Sequence, residues 1–196
     1  MNFSNLLLRF SNAFNRHPYV DLGLSVYWAT MNVGARFDYE YGDVFQWGEI
    51  RSGKGTTYKF YTEGYGNNYY TRYTTSRNNA KNNKPDYQST LLPQDDVAHQ
   101  YMGGSWRMPT IDEMEELLAR CHWQALLINR TIRAYRITGQ NGNSILLPQV
   151  ALWTSSLHEY NHLAYCLNFN AHTPRIDFQD RKNGFSIRAV LPKNQR

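Results

Sequence analysis

Long hydrophobic runs are missing from this sequence. Runs such as residues 6–8 and 145–147 hold three aliphatic side chains each, whereas a membrane-spanning helix needs about 20 apolar residues. Residues 1–17 also lack the basic start, the extended apolar stretch and the small-residue cleavage site of a secretion signal. The sequence therefore predicts no membrane span and no cleaved signal peptide.

Cysteine is scarce, with only Cys121 and Cys166 in the chain. Two thiols cannot supply a four-thiolate metal site. A single disulfide is one alternative, but free cysteine is commonly a buried residue, and no secretion signal is predicted that would favour an oxidising compartment. We expect two separate buried thiols.

Charged residues are also few, at 19% of the chain, against 41% hydrophobic and 15% aromatic residues. This composition excludes a disordered chain, a coiled coil and a collagen-like fibre. A chain of this length buries roughly 70% of the surface that its unfolded form exposes. It can therefore form one domain around its own core without disulfides or metals.

The charge is unevenly distributed. Lys and Arg number 21 against 16 Asp and Glu, and residues 51–85 hold seven basic residues, one acid and six tyrosines. Cations beside aromatic rings can bind single-stranded nucleic acid. The alternative is a Tyr- and Asn-rich loop that rests its rings on the domain. We favour the loop, because no RNA-binding motif is present, and do not expect nucleic acid as a partner.

The first 17 residues have the pattern of a short amphipathic helix, which Pro18 prevents from continuing. Its apolar side chains recur at helical spacing and need a surface to cover them. That surface could belong to the same domain, to a partner or to a second copy. We predict a docking or oligomerisation element at residues 1–17, with the assembly residues Phe3, Leu6, Leu7, Phe10 and Phe14.

One long helix is predicted to begin after Thr110, because Thr110 and Glu113 form a capping-box pattern. The remaining segments favour short strands. Two are expected in residues 19–33 with a break near Gly23, two flank a hairpin turn at 140–143, and others follow as far as residue 190. These patterns predict an α+β fold with one main helix, several short antiparallel strands and long loops.

Several blocks, in this order along the chain, resemble the Fibrobacter succinogenes major paralogous domain, a family related to the DUF1566 group and abundant in Bacteroidetes and Fibrobacteres. The blocks are YVDLGLSVYWATMNVGA (19–35), EYGDVFQWGE (40–49), LLPQDDVAHQYMGGSWRMPTIDEMEELLARCHW (91–123), RITGQNGNSILLP (136–148), LWTSSL (152–157) and GFSIRAVLP (184–192). No single block is diagnostic, but the ordered set covers most of residues 19–192.

The resemblance implies a C-type-lectin-like domain at residues 18–196, similar to the variable proteins of diversity-generating retroelements. It implies a scaffold and not an activity. The chain departs from the family at Met31, where the family often has cysteine, and in residues 1–17, which lie outside the family pattern. These departures suit a protein assembled inside the cell, such as a bacteriophage virion component. A bacterial cell surface is the other location that the resemblance allows.

No pattern of catalytic residues is present in the sequence. His158 and His162 have the spacing of a zinc-binding pair, but no HExxH motif contains them. Ser155 and Ser156 lack the G-x-S-x-G frame of a nucleophile elbow. Asp95 and Asp96 more readily cap a turn than hold Ca²⁺. We expect no enzyme activity, no metal and no cofactor.

The best candidate for a binding surface is the stretch from residue 158 to residue 175. The resemblance implies that this span corresponds to the variable, ligand-contacting residues of proteins diversified by retroelements. Here it is rich in Tyr, Asn and His, which combine flat apolar area with hydrogen bonding, as antibody loops do. The predicted ligand-contacting residues are His158, Tyr160, Asn161, His162, Tyr165, Asn168, Asn170, His172 and Arg175.

The sequence thus favours a non-enzymatic ligand-recognition module. Its partner would be a glycan or a protein on a cell surface, and a phage receptor-binding component is one such module. We also expect it to form a homo-oligomer and to contact other virion or surface-assembly subunits. The alternative is a structural virion or surface protein whose loops make only subunit contacts.

Overall fold

The computed structural model describes residues 17–53, 58–62, 69–128, 130–170 and 173–193. The predicted assembly residues Phe3, Leu6, Leu7, Phe10 and Phe14 lie outside the described residues. Within the described part of the chain, none of the helices has the length and apolar character needed to cross a membrane.

Short antiparallel strands make up most of the regular structure. In chain order the elements are β1 (Tyr19–Val20), β2 (Val26–Asn32), β3 (Tyr61–Thr62), β4 (Tyr69–Tyr70), α1 (Val97–Met102), α2 (Ile111–Arg120), β5 (His122–Ile128), β6 (Ile132–Thr138), β7 (Ser144–Pro148), β8 (Leu152–Leu157), β9 (Leu163–Asn170), β10 (Thr173–Asp180) and β11 (Arg188–Pro192). Three sheets have the orders β1-β2-β11, β5-β6-β7 and β10-β9-β8, and β3 pairs with β4 alone.

The prediction of an α+β fold is wrong, because the described chain is mainly β. The main helix α2 has only 10 residues, and strands occupy most of the chain beyond it. Sequence reading missed β5, where the pattern HWQALLI shows no period-two alternation. Antiparallel pairing with β6 over its whole length makes this segment a strand.

The predictions that depend on bonds between near neighbours in the chain are confirmed. The Thr110 hydroxyl accepts a hydrogen bond from the Glu113 N–H at 3.3 Å, and the Glu113 carboxylate accepts one from the Thr110 N–H at 2.8 Å. The capping box is therefore confirmed. The break near Gly23 separates β1 from β2, and the turn at residues 140–143 joins β6 to β7, also as expected. Asp96 N-caps α1, where its carboxylate accepts from the His99 N–H.

Two hydrophobic clusters form the core. The first gathers Trp47, Tyr73 and Trp153 with neighbouring aromatic rings. The second lies where α2 packs on the sheets, around Met114 and Leu167. The described residues of the Tyr-rich segment contribute to the first cluster, with the rings of Tyr58, Phe60, Tyr70 and Tyr73 all buried. The burial of these rings agrees with the expectation that the segment rests its rings on the domain, although Tyr61–Thr62 and Tyr69–Tyr70 are paired strands and not loop.

Arg188 joins three strands from inside the core. Its buried guanidinium donates hydrogen bonds to the Asn32 side chain at 2.8 Å, to the Ala29 carbonyl at 3.0 Å and to the Leu146 carbonyl at 3.1 Å. Burial lowers the pKa of Arg188. Through these bonds β11 is tied to both β2 and β7.

Replacing Thr110 by Ala should destabilise the protein. The change removes a cap for an N–H of the first turn of α2, and N-cap losses of this kind cost about 1 kcal/mol. Urea unfolding should show the decrease in the free energy of unfolding. Thr71→Ala, at an exposed position, is the control and should leave stability unchanged. Equal effects of the two substitutions would contradict the capping role.

Candidate ligand-binding surface

The predicted ligand-contacting residues lie mostly on the β9–β10 hairpin and on the turn before it. In the hairpin Tyr165 pairs with Phe178, and Asn168 pairs with Arg175. Since alternate residues of a strand point to opposite faces of a sheet, Tyr165 and Phe178 lie on one face, and Asn168 and Arg175 lie on the other. The hairpin therefore divides the predicted set into two separate groups.

The first group is an aromatic cluster formed by His158, Tyr160, His162, Tyr165 and Phe178. The His158 ring lies 4.3 Å from the Phe178 ring, 4.9 Å from the Tyr165 ring and 5.3 Å from the Tyr160 ring, measured between centroids. His158 itself is buried, whereas Tyr160 is 59% exposed and Phe178 is 44% exposed. The cluster thus presents flat ring surfaces to solvent around a buried imidazole.

His158 is held as a neutral ring. Its Nδ1 accepts a hydrogen bond from the Tyr160 N–H at 3.1 Å, so a proton at this nitrogen would break the bond. Burial lowers the pKa of His158, and the nearby charge of His162 lowers it further, against the opposing effect of Glu159. Because the imidazole is neutral, it can pack against the surrounding rings and no buried charge is left without solvation.

Asn161 sits between two members of the aromatic cluster but is itself fully buried. Its side-chain oxygen accepts hydrogen bonds from the Thr75 N–H at 2.9 Å and the Ser76 N–H at 3.1 Å, and its nitrogen donates to the Thr75 hydroxyl at 2.8 Å. All of these partners belong to another segment of the chain. Asn161 therefore anchors the turn, and its side chain does not reach the surface.

Arg181 holds the same turn from the interior of the domain. Its fully buried guanidinium donates to the carbonyls of Asn161 at 2.9 Å, Tyr73 at 3.1 Å and Arg72 at 3.2 Å, and to the Tyr58 hydroxyl at 3.0 Å. Burial raises the pKa of Tyr58, and the Arg181 charge partly opposes this rise. Sequence reasoning missed Arg181, because nothing in the local pattern distinguishes it from an exposed arginine.

The guanidinium of Arg181 also lies among aromatic rings. Its central carbon is 4.5 Å from the centroid of the Tyr70 ring and 4.8 Å from that of Trp47. Ring faces attract cations electrostatically, and more strongly where water is excluded. These rings help to stabilise the charge of Arg181, to which no carboxylate among the described residues is bound.

The second group is a polar cluster on the opposite face of the hairpin. The Asp177 carboxylate accepts hydrogen bonds from Asn168 at 3.2 Å and Arg175 at 3.0 Å. Burial alone would raise the pKa of Asp177, but bonds from the Phe178 N–H and Asn168, with the charge of Arg175, lower it overall. The three side chains are bonded to one another and form a small surface of their own.

Cys166 lies beside this polar cluster but inside the core. Burial raises the pKa of its thiol to about 12, so it is not a nucleophile at neutral pH. Cys121 and Cys166 are both free, and the prediction of two separate thiols is confirmed, although Cys121 is only partly buried.

Two exposed aromatic residues of this region were not predicted. Phe178 faces Tyr165 across the hairpin, and the alternation of apolar residues in IDF (176–178) could have indicated its face. Tyr87 is 66% exposed. It begins a segment that runs beside β8, because the Leu157 N–H of β8 donates to the Ser89 carbonyl at 2.8 Å. The remaining predicted positions, the Asn170 side chain and His172, lie outside the described residues.

Comparison with known proteins gives no relative: no protein-family model, no curated protein and no solved structure matches the chain. Among the described residues, no group of three or more His, Cys, Asp or Glu side chains is placed to hold a metal ion. Arguments about function therefore depend on the aromatic and polar clusters themselves.

Replacing Arg181 by Met should destabilise the protein strongly. The substitution leaves three carbonyls and the Tyr58 hydroxyl without their donor, and each lost bond to a buried charged group is worth about 1.5–3 kcal/mol. We expect a loss of about 3 kcal/mol or more in the free energy of unfolding, measured in urea. The matched control, Arg136→Met at an exposed position of β6, should cost far less. A small effect of Arg181→Met would show that the turn does not depend on this residue.

The neutral state of His158 should make the folded protein sensitive to acid. Its pKa is lowered in the folded state, so the unfolded state binds the proton more readily and stability falls as the pH drops below about 6.5. The free energy of unfolding should decrease less between neutral and mildly acidic pH in His158→Gln than in the unmodified protein. Identical pH profiles would contradict a buried neutral imidazole, and His162→Gln, at an exposed position, is the control.

Proposed function

We propose that this protein is a non-enzymatic ligand-recognition module and that the aromatic cluster is its contact surface. The observation that carries the proposal is the pair of exposed rings, Tyr160 and Phe178, packed around the buried ring of His158. These rings lie on a regular hairpin and an anchored turn. A rigid aromatic surface binds at a low cost in side-chain entropy.

The chemistry of the cluster suits a glycan on a cell surface. Ring faces can cover the CH faces of a sugar, while the Tyr160 hydroxyl and the exposed His162 can bond to sugar hydroxyl groups. Small ligands are usually held by apolar and aromatic side chains with a few polar groups that fix orientation. A cell-surface protein that presents an apolar patch is the other ligand class that this surface fits.

We extend the proposal to the location and the assembly state of the protein. The ordered blocks that resemble the Fibrobacter succinogenes major paralogous domain support a bacteriophage virion or a bacterial cell surface as its location. The amphipathic pattern of residues 1–17 supports assembly into a homo-oligomer or with other subunits. In such an assembly several aromatic clusters would face one target, and avidity would compensate for a weak single contact.

A structural role in the assembly is the second candidate function. It is favoured by a separate set of exposed apolar side chains, Phe37, Tyr41, Val44 and Tyr101, which do not belong to the aromatic cluster. A protein whose loops make only subunit contacts would use such surfaces and would bind no sugar.

The experiment that tests the recognition function is binding of the full chain to an array of bacterial surface polysaccharides. The double substitution Tyr160→Ala and Phe178→Ala should weaken binding at least tenfold, because central aromatic contacts commonly carry more than 1 kcal/mol each. Tyr160 is 59% exposed and Phe178 is 44% exposed, so we expect the variant to stay folded, as thermal unfolding would verify.

The matched control is Leu127→Ala, which removes an exposed apolar side chain from β5, in a different sheet. It should leave binding unchanged. Binding that survives the double substitution would exclude the aromatic cluster as the contact surface. Failure of the full chain to bind either the array or intact bacterial cells would favour the structural role.

A further inference from the structure

The outer edge of β5 is an open edge of a sheet. β5 is the first strand in the order β5-β6-β7 and pairs along its length with β6. The N–H of Gln149, just after β7, donates to the Arg133 carbonyl of β6 at 2.9 Å, so Arg133 directs its backbone groups toward β7. Bonded and non-bonded positions alternate along antiparallel strands, and β6 therefore bonds to the even-numbered residues of β5. The backbone groups of Trp123, Ala125 and Leu127 point outward.

These outward groups have no partner among the described residues. No bond links the backbone N–H or carbonyl of Trp123, Ala125 or Leu127 to any other described part of the chain. Ala125 is exposed, and Leu127 is 61% exposed. The strand, HWQALLI, contains no Asp, Glu, Lys or Arg. An exposed apolar edge strand of this kind is a template for pairing with another strand.

The edge strand β10 shows how the same chain blocks an edge. The Arg181 N–H, just after β10, donates to the His162 carbonyl on the side of β9 at 3.1 Å, so the even-numbered residues of β10 point outward. Among them Pro174 has no N–H, and the Phe178 N–H donates to the Asp177 carboxylate at 2.9 Å. Proline and charged side chains are devices that keep a further strand away. β5 has neither.

Other segments of the chain cover the outer edges of β8 and β11. The Leu157 N–H of β8 donates to the Ser89 carbonyl at 2.8 Å, and Val190 of β11 exchanges two backbone bonds with Arg107, at 2.9 Å and 3.1 Å. The fold closes these two edges by itself, whereas no described segment covers β5.

We infer that β5 pairs with β5 of a second copy of this chain, in antiparallel orientation and with Ala125 opposite Ala125. Trp123 of each copy then lies opposite Leu127 of the other. The three outward residues are symmetric about Ala125, so three bonded pairs form with two backbone hydrogen bonds in each, and every outward group is satisfied. The contact uses the same surface of both copies and closes into a two-fold dimer, in which two three-stranded sheets become one.

The side chains of β5 favour its own copy as the partner. Residues directly opposite each other lie on the same face of a sheet, with Cα atoms about 5.5 Å apart in a bonded pair. Ala125 meets its counterpart at the two-fold axis, where a small uncharged side chain brings neither a clash nor two like charges together. Leu127, which is exposed in one copy, packs against the Trp123 ring of the other. A register shifted by two residues would lose one of the three bonded pairs.

The inference can be tested by light scattering on the full chain and on two variants, Ala125→Lys and Ala125→Glu. The unmodified protein should have twice the 23.0 kDa mass of one chain, or an even multiple of that mass if residues 1–17 add further contacts. In each variant two like charges would lie directly opposite each other, which opposes pairing, so its mass should be half that of the unmodified protein. Thr173→Lys and Thr173→Glu, at an exposed position of β10, are the matched controls and should keep the unmodified mass.

Mixing the two Ala125 variants tests the register. An equal mixture places opposite charges across the two-fold axis, so we expect the mass of the unmodified protein to return. This recovery is specific to a residue that lies opposite itself. No recovery on mixing, a charge variant that keeps the unmodified mass, or a monomeric unmodified chain would each overturn the inference.

Amide hydrogen exchange on the unmodified chain is a second measurement that does not depend on a variant. The N–H groups of Gln124 and Leu126 bond to β6 and should be protected at every protein concentration. Those of Trp123, Ala125 and Leu127 should be protected in the dimer and should lose protection on dilution to the monomer. Fast exchange of these three in the dimer, or their protection in a monomer, would overturn the inference, since the second result means that the same chain covers its own edge.

These outcomes are independent of the proposed recognition function, because the aromatic cluster lies on another sheet. Leu127→Ala keeps every backbone group of the edge and should remain dimeric, so it stays a control for ligand binding. Binding of the Ala125→Glu variant to the polysaccharide array tests recognition without the β5 contact. An unmodified chain that binds the array as a monomer would overturn the pairing alone.

Discussion

The buried guanidinium of Arg181 is the interaction on which the candidate surface depends. No carboxylate in the described ranges of the chain is bound to it, and its hydrogens are shared among backbone carbonyls of two separate segments and one tyrosine hydroxyl. An ionised group buried without such partners would be very costly. The segments that supply the carbonyls must therefore keep their positions, and this fixes the residue 72–73 backbone against the turn at Asn161.

The aromatic cluster depends on this arrangement. Asn161 holds the backbone of Thr75 and Ser76 through its side chain while its own carbonyl accepts from Arg181. Tyr160 and His162 flank it and are therefore placed at the surface by a residue that is not itself exposed. A turn held by its own interior is well suited to present rings to a ligand, because little order remains to be gained on binding.

The buried carboxylate of Asp95 organises the described part of the basic, Tyr-rich segment. Asp95 binds Lys59 at 2.9 Å and Arg72 at 2.6 Å and accepts from the Tyr73 hydroxyl at 2.6 Å. Burial raises the pKa of Tyr73, and the bond to Asp95 raises it further. Two of the seven basic residues are thus paired, and the rings of Tyr58, Tyr70 and Tyr73 are buried in the core. The residue types that made nucleic-acid binding one alternative in the sequence contribute, in the described part of this segment, to the interior.

The sequence by itself determined the features that depend on near neighbours. The capping box of Thr110 and Glu113, the break after β1 and the turn between β6 and β7 involve residues within a few positions of one another, so local bonds and backbone preferences suffice. It also predicted a binding surface in the hairpin region.

Only the tertiary structure decided the fold class, since β5 becomes a strand through its pairing with β6. Only the tertiary structure separated Tyr165 from Asn168 on opposite faces and buried Asn161 and Arg181. The bonds of Asn161 to Thr75 and Ser76 span 85 or more positions of the chain, and those of Arg181 span up to 123. No local pattern can encode a contact over such a separation.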